Sequence, residues 1–257
     1  MDHSNVGTAL LLSAGAGLAT TFGSVLGILV REPGKRFMGI SLGFSAGVMI
    51  MIAFTGLLPS SVAGIGPVWA YSGFFLGMVG FFALDFLIPH EFLGEADYRE
   101  GSPKGERLKR MGLLVALGIG IHNVPEGLAT FAGSLKDVRA GLFVAVGIAL
   151  NNIPEGLAVA APIYASTGNR RKAFLWSFLS GLSEPASACV AALVLMPFLN
   201  ATLVNLLLSG AAGIMIAISL DQLAPAAKTY GSTHTPIIGM IGGMMVVVAG
   251  LLLMRLV

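Results

Sequence analysis

His122-Asn123-Val124-Pro125-Glu126-Gly127 lies in the middle of one long apolar stretch, and a near copy, Asn151-Asn152-Ile153-Pro154-Glu155-Gly156, lies in the middle of the next. An ionised side chain at the centre of a membrane helix costs on the order of 2.5–3.5 kcal/mol on insertion scales. Ionisable groups at that depth are therefore read as functional. Imidazole, amide and carboxylate together also form the mixed N and O donor set that binds divalent transition metals. The two motifs thus predict a membrane protein whose walls hold a metal ion.

Composition agrees with that reading. The chain has 257 residues, is 55% hydrophobic and only 11% charged, and its mean hydropathy is +0.86. A soluble domain carries about 25% charged residues. The 35 glycines suit close packing of membrane helices. The single cysteine, Cys189, excludes a disulfide framework and a thiolate zinc knuckle. A net charge of +2, with the basic residues in loops, gives no sign of nucleic-acid binding. No soluble-enzyme signature is present.

A helical span needs roughly 20 mostly apolar residues. Eight such stretches occur, near 6–30, 37–58, 67–89, 111–134, 139–165, 172–195, 202–224 and 236–256. The separators carry turn and charge signals, among them Pro59 to Pro67, Lys136-Asp137, Gly168 to Lys172, Asn200 and Lys228 to Pro236. The expected fold is all-α, a polytopic single transmembrane domain over residues 1–257. The first span is not a cleavable signal, because its flank is Asp2-His3 and its apolar run is too long.

Charge bias orients the spans. The loops on one side hold 12 Lys and Arg, and the opposite side holds 3. The positive-inside rule then places both termini outside and the loop 91–110 in the cytoplasm, in a multi-pass protein of the cell (inner) membrane. That loop is acidic in its first half and basic in its second, and it lacks a histidine cluster. It reads as a linker.

On a helix, residues three and four apart share a face. His122 and Glu126 therefore point the same way, with Asn123 beside Glu126, and Asn151, Asn152 and Glu155 repeat the arrangement. Pro125 and Pro154 each withhold a donor and free a carbonyl one turn back. Glu184, before Pro185 in the sixth span, adds a third carboxylate. The three glutamates are 29 residues apart, about one span plus a turn, so antiparallel spans bring them to one depth. Packed together without a cation they repel one another or take up protons, and one or two divalent ions between them resolve the conflict. Asp85, His90-Glu91 and Asp221-Gln222 sit near span ends and read as ordinary solvated groups. Gly39-Gly43-Gly47 and Gly23-Gly27 read as packing faces.

The paired motifs, with Ser180-Gly181-Leu182-Ser183-Glu184 and Leu220-Asp221-Gln222-Leu223-Ala224-Pro225, resemble the ZIP (Zrt-, Irt-like protein) family of divalent metal transporters, in its bacterial broad-specificity branch. The resemblance covers essentially the whole chain. It implies a binuclear metal centre between spans 4, 5 and 6. One site would use His122, Glu126, Asn151 and Glu155; the second would use Asn123, Asn152 and Glu184, with Glu126 and Glu155 bridging. It further implies inward movement of Zn²⁺, Fe²⁺ or Mn²⁺, with Cd²⁺ and Co²⁺ as further candidates, by alternating access. Spans 1, 4, 5 and 6 would move against 2, 3, 7 and 8, in a homodimer. The metal is cargo, and no cofactor is expected.

Many relatives in this branch have histidine at the position of Asn151. The amide here removes a nitrogen donor and shifts the expected preference from Zn²⁺ toward the harder Fe²⁺ and Mn²⁺. Two other readings use the same residues, a passive metal channel and an intramembrane metalloenzyme. The second lacks the H-E-x-x-H zinc-protease pattern and any clear catalytic pair.

Overall fold

A computed structural model describes residues 5–29, 34–87, 120, 123–198, 200–230 and 234–256. The described residues are helical, with no strand among them. In chain order the helices are α1 (Val6–Leu29), α2 (Lys35–Ile52), α3 (Leu58–Leu87), α4 (123–136), α5 (Val138–Thr167), α6 (Arg170–Val190), α7 (Ala201–Ile218), α8 (Ala224–Tyr230) and α9 (Thr235–Leu256).

Local chemistry sets several of these boundaries. Asp137 Oδ1 accepts from the Ala140 amide at 2.8 Å and starts α5. Gly168, at φ 62°, closes α5 in the left-handed conformation that favours glycine. The next residue, Asn169, takes the Lys172 amide at 3.1 Å and opens α6. Asn200 caps α7 through the Leu203 amide at 2.9 Å. Each cap satisfies a donor that the first helical turn leaves free.

Six helical stretches among the described residues are long and apolar enough to cross a bilayer: Val6–Leu29, Lys35–Ala83, Val138–Ala161, Arg170–Val194, Ala201–Tyr230 and Thr235–Leu253. The second covers two of the expected spans. Its break corrects the expected separator from Pro59 to Pro67: helix continues past Pro59 and the chain leaves helical geometry only at Gly66, φ 77° and ψ 163°. The seventh expected span likewise runs on to Tyr230, past Lys228. Residues 111–119, 121 and 122 of the expected fourth span, and the loop 91–110, lie outside the described residues.

Prolines explain the longer helices. Wide π turns occur at Ala53–Leu57, Ala191–Leu195 and Ser219–Leu223. Each ends two residues before a proline, Pro59, Pro197 and Pro225. A proline ring clashes with the carbonyl four residues back and cannot bond it, and widening the preceding turn relieves both problems. Pro154 needs no such turn, and α5 is α-helical from Val138 to Thr167.

Two groups of helices emerge from the packing. In one, α1 lies against α5 and α6, and α5 against α6. In the other, α2 lies against α9 and α8, and α3 against α7. Gly43 and Gly47 of α2 sit on the backbone of Pro236 and Met240 of α9, so these two members of the expected ladder lie on a packing face. The groups meet where α2 faces α5, in a core that includes Met49, Ile52, Ile148, Met215 and Ile218. Polar contacts also cross this seam. Lys136, at the end of α4, donates to the Ser60 carbonyl and hydroxyl, both at 2.7 Å, and to Asn205 Oδ1 at 2.8 Å. Burial holds its ammonium below the usual lysine range.

Candidate metal centre

Close helix approach builds the site. A Cβ on Gly127 of α4 would strike the Glu184 carbonyl of α6, one on Gly156 of α5 would strike the Thr20 carbonyl of α1, and one on Gly23 of α1 would strike the Ile153 carbonyl. With glycine at these crossings the backbones nearly touch. Short side chains on α4, α5 and α6 can then meet across the gaps. Asn123, Glu126, Asn151, Asn152, Glu155 and Glu184 are all brought into the interior, each fully buried. His122 lies outside the described residues.

Their contacts form two linked units. Asn151 Nδ2 donates to Glu126 Oε1 at 2.9 Å and to Glu155 Oε1 at 2.7 Å, so one amide bridges the carboxylates of α4 and α5. Asn152 Nδ2 donates to Glu184 Oε2 at 2.7 Å and to the Ala16 carbonyl of α1 at 2.9 Å. Asn123 Nδ2 donates to the Ser180 carbonyl of α6 at 3.1 Å. The amides thus turn their NH2 groups to the protein.

The oxygens on the other side of these groups have no protein partner. Asn123 Oδ1, Glu126 Oε2, Asn152 Oδ1, Glu155 Oε2 and Glu184 Oε1 are all buried without a hydrogen-bond donor. Buried polar atoms are nearly always satisfied, so these five partnerless acceptors on α4, α5 and α6 mark the candidate cation site. The donor set is oxygen from carboxylate and amide, which suits hard divalent ions. The described carboxylates do not by themselves close into a group of three His, Cys, Asp or Glu that could hold an ion.

Of the lesser candidates, Asp221 is exposed and Gln222 half-buried, on the π turn after α7. His90 and Glu91 fall outside the described residues. Ser45 of α2 escaped the sequence reading. Its hydroxyl donates to Asn151 Oδ1 and lies 3.4 Å from the Asn151 carbonyl. The only sequence signal is a small polar residue inside the glycine ladder Gly43-Phe44-Ser45-Ala46-Gly47.

Comparison with known proteins adds an independent line. The signature of the family described as ZIP Zinc transporter matches residues 90–256. A protein named Zinc transporter ZupT from Corynebacterium efficiens is 46% identical over 98% of this chain and 99% of its own. Proteins of the same name from Streptococcus mutans and Escherichia coli are 44% and 40% identical, covering 96% of this chain and 97% and 96% of theirs.

Proposed function

The chain belongs to the ZIP Zinc transporter family, and from that premise we propose that it carries divalent transition-metal ions into the cytoplasm by alternating access. It is a transporter and not an enzyme. Zn²⁺ is the cargo named for the relatives, Fe²⁺ and Mn²⁺ are the further ions this donor set suits, and Cd²⁺ is a further candidate. The single observation behind the reading is the set of five buried, donorless oxygens on Asn123, Glu126, Asn152, Glu155 and Glu184.

Of the seven expected ligands, these five and His122 are the proposed set, while Asn151, the seventh, has its Oδ1 engaged by Ser45 and its NH2 by Glu126 and Glu155 in this structure. Glu126 and Glu155, joined through the Asn151 amide, are the proposed bridge of a binuclear centre. In the proposed cycle a hydrated ion enters from outside, exchanges water for these oxygens, and leaves on the cytoplasmic side. The group α1, α4, α5 and α6 moves against the group α2, α3, α7, α8 and α9, in a protein of eight spans with both termini outside. A homodimer in the cell membrane is part of the same proposal.

Metal influx into proteoliposomes tests the reading, with Zn²⁺, Fe²⁺, Mn²⁺ and Cd²⁺ in parallel and Glu155→Ala beside the wild type. Saturable influx lost on that substitution is expected. Non-saturating flux would favour a channel. No influx, or influx indifferent to Glu155, overturns the proposal.

A further inference from the structure

We infer that Ser45 is a positioning residue that sets the ion preference of this centre by fixing which end of the Asn151 amide faces the carboxylates. The inference rests on the metal-transport reading above and goes beyond it. Asn151 differs from the other two asparagines of the site. Asn123 and Asn152 leave their Oδ1 atoms without a donor, whereas Asn151 Oδ1 is absent from that group because Ser45 supplies one. Its oxygen is therefore engaged by α2, and its NH2 is engaged by Glu126 and Glu155. Every polar atom of this side chain has a partner before any ion arrives.

The orientation follows from donor and acceptor chemistry. Rotating the amide would face its oxygen to two carboxylate oxygens and strip both of a donor, a contact of acceptors on acceptors. It would also leave the Ser45 proton with only the Asn151 carbonyl, at 3.4 Å, close to the limit of a hydrogen bond. Ser45 and Asn151 are both fully buried, so water does not compensate. As placed, Asn151 is a donor that holds Glu126 and Glu155 apart and aimed, and it adds no oxygen ligand.

Loss of the Ser45 hydroxyl changes that balance. Without it the amide is free to turn when an ion draws on Glu126 and Glu155, and its oxygen becomes an additional carbonyl ligand. Carbonyl and carboxylate oxygens suit Mn²⁺ better than Zn²⁺. Ser45→Ala therefore shifts the relative affinity toward Mn²⁺. One hydrogen bond to an amide corresponds to about a three- to tenfold change in the ratio of the two dissociation constants.

The test is equilibrium titration of the full-length protein in detergent with Zn²⁺ and with Mn²⁺, for wild type, S45A, N151A and S45A/N151A. A purely structural defect weakens both ions together and leaves their ratio alone. The expected result is a ratio shifted toward Mn²⁺ in S45A, and no further shift when S45A is added to N151A. An unchanged ratio in S45A overturns the inference, as does an equal shift in the N151A background. Ser45→Cys, similar in size and a weak donor, provides a second arm should S45A not fold. It too must move the ratio toward Mn²⁺, and an unchanged ratio overturns the inference. If the wild type binds neither ion, the transport reading itself fails and the inference falls with it.

Discussion

Asn152 Nδ2 and Glu184 Oε2 lie 2.7 Å apart across the contact of α5 and α6, joining residues 32 positions apart in the chain. Asn152 also reaches the Ala16 carbonyl, so one amide ties three helices together at the depth of the carboxylates. The second oxygen of Glu184 is left without a donor. The two oxygens thus have separate tasks, one anchored to the protein and one offered to the site.

That division makes Glu184→Gln informative. A glutamine oxygen still accepts from Asn152, so the α5–α6 contact and the fold persist. The negative charge is lost. Altering even the groups that support a metal's ligands typically weakens binding 10–100-fold, so losing a ligand charge is expected to weaken it at least about tenfold. Metal titration of the purified variant, beside its thermal unfolding, checks both halves. A variant that binds metal like the wild type would remove Glu184 from the site.

Glycine contacts give a prediction about the scaffold. A Cβ at Gly156 would strike the Thr20 carbonyl of α1, where backbone cannot swing aside. Gly156→Ala must therefore push α1 from α5, and overpacking of this kind costs roughly 1–3 kcal/mol. At Gly250 in α9 nothing lies within 4 Å of the added carbon. Gly250→Ala is expected to be neutral or stabilising by up to about 1 kcal/mol, the helix-propensity difference. Thermal midpoints of the two variants in one detergent test the contrast, and equal midpoints would contradict the close α1–α5 crossing.

The sequence was most legible where one physical demand governs it. Spans follow from the absence of water in the bilayer core, and the motif residues stand out because polar groups there need a reason. Spacing put Asn151 and Asn152 on the side of α5 that carries Glu155 and put the three glutamates at one depth, while their grouping across helices came only from the family resemblance. Helix ends near prolines were not. Pro59 and Pro225 look like stop signals, yet a wide turn two residues earlier lets each helix continue, with neighbouring helices holding it. Ser45 was invisible for another reason. Its partner is 106 residues away on a different helix, and its neighbours Gly43 and Gly47 serve the opposite face, against α9. Helical periodicity predicts which residues share a face, and it carries no information about which distant helix that face will meet.

Orientation is the last matter that a direct measurement decides. α5 contains 30 residues, about 45 Å at 1.5 Å per residue, longer than the roughly 30 Å hydrocarbon core. Arg139 in its first turn and Arg171 just beyond its end are both exposed, and they must stand on opposite sides of the membrane. By the positive-inside rule the excess of Lys and Arg flanking the far end, at Arg170, Arg171 and Lys172, leads to the expectation that this end faces the cytoplasm. Replacing the one cysteine by Cys189→Ser gives a background for Arg139→Cys and Arg171→Cys, one at a time. A membrane-impermeant maleimide applied to intact cells is expected to label the first directly and the second only after permeabilisation. The reverse pattern would invert the direction of transport proposed for the site. Labelling of both from outside would mean that α5 does not cross the bilayer, and the placement of its carboxylate at mid-depth would fail with it.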